Sequence, residues 1–164
     1  MVKRTSLAGD TCPIARALDV IGDWWSMLII RDAFLGRRRF GEFQKSLGLA
    51  RNILSARLRM LVDEGILSTV PASDGSAYQD YVLTDKGRGI FPILVALRQW
   101  SEAYDALPNE IATILVDREN GEPVRPLELR AQDGRLLRAG DTDLRPRPAK
   151  KRARRTAARE ERNL

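Results

Sequence analysis

Residues 35–65, Leu-Gly-Arg-Arg-Arg-Phe-Gly-Glu-Phe-Gln-Lys-Ser-Leu-Gly-Leu-Ala-Arg-Asn-Ile-Leu-Ser-Ala-Arg-Leu-Arg-Met-Leu-Val-Asp-Glu-Gly, constrain the fold more than any other stretch of the chain. They spell a short helix over residues 40–47 with Phe40, Phe43 and Leu47 facing inward, a turn at Gly48-Leu49-Ala50, and a second helix over residues 51–64. In the second helix Leu54, Leu58, Leu61 and Val62 recur at i, i+4, i+7 and i+8, the spacing of a buried stripe. At about 100° per residue, Asn52, Ser55, Ala56 and Arg59 then fall on the opposite face. This is the layout of a helix-turn-helix that offers one helix to a major groove. From Arg31 to Arg59 eight basic residues (Arg31, Arg37, Arg38, Arg39, Lys45, Arg51, Arg57, Arg59) face two acidic ones, Asp32 and Glu42. The basic charge coincides with the motif, so the expected partner is double-stranded DNA.

The overall formal charge of +6 has a different origin. Residues 145–164 hold nine Lys/Arg and two Asp/Glu, whereas residues 1–144 hold 19 basic and 20 acidic side chains. Two prolines, many cations and no large apolar residue before Leu164 predict a disordered basic tail. Such a tail serves either as a solubilising segment or as a phosphate-binding arm that gains affinity by releasing counterions. With no His and a single Cys, the chain offers no His-based triad, proton shuttle or ordinary zinc site. It also has no phosphate-binding glycine loop, so neither an enzyme, a metal nor a cofactor is expected. Residues 1–10 have a charged start without an apolar stretch, and no run is long enough to cross a bilayer. A soluble cytoplasmic protein with no membrane partner is expected.

Either side of the motif the pattern is also legible. Thr11-Cys12-Pro13 reads as a helix start, with Ile14, Ala17, Leu18 and Ile21 at helical spacing and Gly22 as the stop. A second helix from Asp23 buries Trp25, Leu28, Ile29 and Phe34 and ends at Gly36. Trp24, Trp25 and Trp100 read as core anchors rather than a stacking platform for bases. Residues 66–70 and 78–83 alternate like strands around turn chemistry at residues 71–76, which makes a β-hairpin and completes a winged helix. Thr84-Asp85-Lys86-Gly87 opens a last long helix whose Ile93, Leu97, Trp100 and Tyr104 step by four, three and four. That spacing suits a helix–helix seam, and a homodimer built on these residues with Ile14 and Leu18 is expected, burial within one subunit being the other outcome. Residues 112–116, 126–131 and 136–137, separated by turn signals, predict a small β-meander. The expected organisation is an arm at 1–10, the winged helix-turn-helix with its dimerisation helices at 11–107, a β extension at 108–144 and the tail at 145–164. The fold class is α+β, mainly helical.

Several of these segments resemble the HxlR-type bacterial transcriptional regulators: Cys12-Pro13, residues 21–32 (Ile-Gly-Asp-Trp-Trp-Ser-Met-Leu-Ile-Ile-Arg-Asp), Arg39-Phe40, residues 53–58 (Ile-Leu-Ser-Ala-Arg-Leu), Glu64-Gly65-Ile66-Leu67 and residues 81–87 (Tyr-Val-Leu-Thr-Asp-Lys-Gly). The match runs in order from Cys12 to Tyr104. The resemblance implies a dimeric winged helix-turn-helix regulator, often a repressor, on an inverted repeat. It also implies that Cys12, at the start of the first helix with Arg16 one turn on, senses a small electrophile or oxidant, the other reading being a partly buried structural thiol. Two departures stand out. Ala50 occupies the position where many relatives carry a capping Ser or Thr, and residues 71–80 of the wing contain Asp74 and Asp80 but no Lys or Arg. Lys86, Arg88 or the tail would then have to supply the missing phosphate contact.

In a two-fold dimer, paired reading helices enter successive major grooves about 34 Å apart, so a near-palindromic operator is expected. Asn52, Ser55 and Arg59 are assigned to base edges, since Asn pairs bidentately with adenine and Arg with guanine. Arg37, Arg38, Arg39, Arg51 and Arg57 are assigned to phosphates, with an ordinary ion pair as the alternative for Arg57. A non-specific architectural DNA binder and a protein-interaction module using the β extension are the competing functions.

Overall fold

The computed structural model describes residues 6–72, 74–105 and 113–146. The elements run α1 (Pro13–Ile21), α2 (Trp24–Phe34), α3 (Phe40–Leu47), α4 (Arg51–Asp63), β1 (Leu67–Pro71), β2 (Gln79–Leu83), α5 (Asp85–Arg88) and α6 (Phe91–Tyr104). The chain forms two compact units, Met1–Leu127 and Glu128–Leu164. The basic tail from residue 147 onward and residues 1–5 of the arm lie outside the described residues.

The first unit is a mainly helical winged helix, as the sequence predicts. Asp23 caps α2 by accepting from the amides of Trp25 (3.0 Å) and Ser26 (3.4 Å). Glu42 does the same for α3 from inside its first turn, its Oε2 accepting from the amides of Arg38 (2.7 Å) and Arg39 (2.9 Å). Those two donors hold the Glu42 carboxyl below the usual carboxylate range. Gly48 ends α3 in the left-handed region (φ 64°), its amide bonded back to the Gln44 carbonyl at 2.9 Å. Ala50 then opens α4 with no side-chain cap. Ile29, Ile30, Phe43, Leu54, Leu58 and Leu61 are fully buried where α2, α3 and α4 meet, and Ile66, Leu67 and Ile90 close that core from the wing side.

The wing is a two-stranded antiparallel hairpin with Leu67 opposite Leu83 and Pro71 opposite Gln79. The loop before α3 lies alongside it, since the Tyr81 amide donates to the Arg38 carbonyl at 2.8 Å. Thr84 is the junction between wing and core. Its hydroxyl donates to the Gly65 carbonyl at 2.6 Å and accepts from the Gly87 amide at 3.1 Å. Gly87 packs so closely here that a Cβ would stand 2.2 Å from the Ile66 carbonyl oxygen.

Three expectations change. The long helix after Thr84 is two helices, α5 and α6, broken at Gly89-Ile90. Pro92 explains the break: its ring has no N–H to give Arg88 and collides with the carbonyl four residues back. Of the three tryptophans only Trp25 packs against the core, while Trp24 is 75% exposed and Trp100 58% exposed. Trp24 and Trp25 diverge by one residue's rotation on α2, so both cannot face the same core. The meander is also absent as strands among the described residues. Single bridges join Val116 to Pro123 in the first unit and Arg130 to Leu136 in the second. Each is a short turn closed by one bridge, with few of the ladder bonds that define a strand. Ala112 and Pro108, where the extension was expected to begin, lie outside the described residues.

Residues 113–127 are bonded to α6 through two side chains. Gln99 accepts from the Leu127 amide at 2.8 Å and donates to the Arg125 carbonyl at 3.3 Å, and Arg98 donates to the Thr113 carbonyl. Among the described residues no helix is long and apolar enough to cross a membrane.

Candidate nucleic-acid interface

Burial of Leu54, Leu58 and Leu61 sets the rotation of α4 about its axis and hence which residues it displays. Asn52, Ala56 and Arg59 are exposed and Ser55 is half-buried on that display face. From Asn52 to Arg59 the helix rises about 10 Å, the reach of roughly three base-pair steps. Ser55 and Arg59 also border a shallow hollow of about 270 Å³ whose other wall is Thr69 and Tyr81 of the wing. Thr69 and Tyr81 thus stand beside the reading face, a placement that no local pattern in the sequence signals.

The arginines assigned to phosphates divide into two groups. Arg51 and Arg38 are in no ion pair among the described residues; the Arg51 guanidinium lies over the Phe40 ring, 5.7 Å from its centroid. The other three are already paired. Arg37 reaches the buried carboxylate of Asp32 at 3.3 Å, alongside Arg31 at 2.8 Å. Arg39 bridges Asp74 at 2.7 Å and Asp80 at 3.5 Å. Arg57 pairs with Asp23 at 3.4 Å, tying the reading helix to the cap of α2. Lys86 and Arg88, the possible substitutes for a basic wing, are also engaged. Lys86 donates to the Glu64 carbonyl at 2.5 Å, and Arg88 pairs with Asp85 at 2.6 Å.

Asp74 sits at the wing tip, and its carboxyl is held well below the usual range. Ser76, whose amide donates to it at 3.0 Å, and the Arg39 guanidinium are the causes. The wing therefore presents a fixed anion beside a cation of α3, which makes its face less basic than the sequence count suggests.

The apolar face assigned to a seam is exposed in the single chain. Ile14, Leu18, Ile93, Leu97, Trp100 and Tyr104 all lie at the surface, while Val95 on the other side of α6 is buried. The Trp100 and Tyr104 rings lie 5.9 Å apart on that exposed face. Cys12 is the N-cap residue of α1 and its thiol is exposed, not partly buried. Its amide donates to Asp10 Oδ1 at 2.7 Å, and Arg16 donates to the carbonyls of Asp10 (2.6 Å) and Thr11 (3.0 Å) just before it.

With this geometry in place, the likeness to known proteins is specific. Residues 20–108 match the family described as HxlR-like helix-turn-helix. The HTH-type transcriptional regulator Rv3095 of Mycobacterium tuberculosis, itself uncharacterised, is 37% identical over 135 residues, covering 82% of this chain and 85% of its own. The crystal structure of PA1607, a candidate transcription factor, superposes with a TM-score of 0.81 at 60% identity, over 86% of this chain and 99% of that one. The redox regulator HypR in its oxidised form gives a TM-score of 0.53 at 29% identity, over 58% of this chain and all of its own. The chain belongs to the HxlR-like helix-turn-helix family and is a DNA-binding transcriptional regulator.

Proposed function

We propose that the chain acts as a homodimeric, sequence-specific regulator, a repressor, on a near-palindromic operator. The observation that carries this reading is the division of α4: a leucine stripe locked in the core on one side and Asn52, Ser55 and Arg59 displayed together on the other. Asn52 and Arg59 have the donors and acceptors that discriminate adenine and guanine, each worth about 1–3 kcal/mol of discrimination. Arg51 and Arg38 are the ready phosphate contacts, and Arg37, Arg39 and Arg57 would exchange a carboxylate for a phosphate on binding. The exposed face of α1 and α6, with Leu18, Leu97 and Trp100, supplies the seam that would set the two reading helices one turn of DNA apart.

The exposed thiol of Cys12 and the likeness to a redox regulator support control by small electrophiles or oxidants. As the chain has one Cys, the available products are an adduct, in which the thiolate forms a carbon–sulfur bond with a quinone, or a disulfide. In the second case Cys12 and either a small thiol or the partner subunit's thiol together give two electrons to the oxidant.

The test is a mobility shift on the intergenic DNA upstream of the chain's own gene, with and without diamide, for the wild type, Asn52→Ala with Arg59→Ala, and Cys12→Ser. A competitor-resistant complex that the double variant loses, and that diamide dissolves only when Cys12 is present, is the expected result. Binding that survives the double variant and disappears on deletion of residues 145–164 would overturn it in favour of a non-specific architectural role.

A further inference from the structure

A half-open cleft of about 350 Å³ lies on the first unit, bordered by the end of α2, the loop before α3, strand β2, α5 and the turn after Val116. Arg38, Arg88 and Arg118 are among its lining residues, and no Asp or Glu is. Arg88 is satisfied by Asp85 and by the Leu83 carbonyl, at 2.6 and 2.5 Å. The Arg38 and Arg118 side chains have neither an ion pair nor a hydrogen bond among the described residues. Ala33, Phe34, Gly36, Tyr81, Val82 and Leu83 complete the wall, which is polar and apolar in equal measure.

The backbone around these cations is held in place. Arg38 is anchored by its carbonyl to Tyr81 and by its amide to Glu42, at 2.8 and 2.7 Å. Arg118 stands in a turn closed by the Asp117 amide on the Glu122 carbonyl at 2.9 Å and the Gly121 amide on the Asp117 carbonyl at 2.8 Å. Asp85 already neutralises Arg88, whereas the unpaired guanidinium groups of Arg38 and Arg118 can each be satisfied by a planar anion held bidentately. The volume and mixed lining are those of a small-molecule site, where apolar walls hold a body and a few polar groups fix one end. A phosphodiester backbone would use the cations and leave the apolar part of the lining unused.

We propose that this cleft binds a small organic carboxylate with a flat apolar body, its carboxylate between Arg38 and Arg118 and its body against Phe34 and Tyr81. Arg118 lies beyond the residues 20–108 that match the family, so the site is completed by the extension that follows them. Tyr81 also borders the hollow beside Ser55 and Arg59, which places the ligand one side chain away from the reading helix. Arg38 is shared with the operator reading above, so ligand and phosphate would compete for it, and binding is therefore measured without DNA.

The experiment is calorimetric titration of the full-length chain with 2-naphthoate, 2-naphthamide and inorganic phosphate, for the wild type and Arg118→Gln. Saturable binding of 2-naphthoate is expected, with the neutral amide silent and the variant weakened at least about tenfold, the effect of roughly 1.4 kcal/mol. Arg118 is exposed and without side-chain bonds, so the variant should keep its helical circular dichroism. Equal affinity in wild type and variant, or no saturable binding of 2-naphthoate, would overturn the proposal. So would phosphate binding as tightly as 2-naphthoate, which would make the cleft a contact for the DNA backbone.

Discussion

Arg39, at the start of the helix-turn-helix, is held by Asp74 at the wing tip, with Nη2 2.7 Å from Oδ2. The pair closes one edge of the surface proposed to face DNA with a carboxylate belonging to the protein itself. Asp74→Asn removes the nearer of the two carboxylates, leaving Arg39 with Asp80 at 3.5 Å from Nε and its Nη2 open to a phosphate. The expected outcome is tighter DNA binding at low salt and a log–log salt dependence steeper by about one per subunit. Fluorescence anisotropy at several salt concentrations checks it; an unchanged slope would show that Arg39 contributes no phosphate contact.

Glu42 sets a pH dependence whose sign follows from its partners. The amides of Arg38 and Arg39 lower its carboxyl below the ordinary value of 4.5. A carboxyl with a lowered folded-state value contributes stability that is present in full above the unfolded value and is lost as pH falls through the folded one. Wild type should therefore lose stability on acidification below about pH 4.5, and Glu42→Gln should flatten that part of the curve. Urea unfolding at a series of pH values measures the difference.

Ala50 opens the reading helix with extended backbone (φ −60°, ψ 140°) and no side-chain acceptor. Ala50→Ser fits that backbone and supplies an oxygen for the free amides of the first turn. It should raise stability by about 1 kcal/mol, read as an upward shift in thermal midpoint. No gain would mean that the turn holds those amides away from the new hydroxyl.

Leu97 lies in the middle of the exposed face of α6. Leu97→Glu places a charge where a second subunit would pack, and should convert a dimer to a folded monomer in analytical ultracentrifugation while weakening operator binding. A wild-type chain that sediments as a monomer at the same concentrations would remove the seam from the proposal.

Much of the helix-turn-helix and its hairpin is legible in the amino-acid sequence. The buried stripe of α4, the left-handed stop at Gly48 and the hairpin after Gly65 all follow from spacing and turn chemistry, because neighbours within about four residues determine them. The break at Gly89-Ile90 is legible too, in Pro92, but the apolar run through residues 90–104 masks it. Arg57 is not resolvable in this way. Its partner Asp23 caps a different helix, and no local pattern says that α2 and α4 cross there.

Hydrophobic period and backbone stereochemistry act along the chain, and they settle which segments are helices, where those helices stop and which face of α4 is displayed. Folding in three dimensions was needed to separate the free arginines from the paired ones, to turn Trp24 and Trp100 outward, and to bring Arg38, Arg88 and Arg118 to one cleft. Those outcomes depend on Coulomb and packing contacts between residues far apart in the chain, whose distances no periodicity encodes.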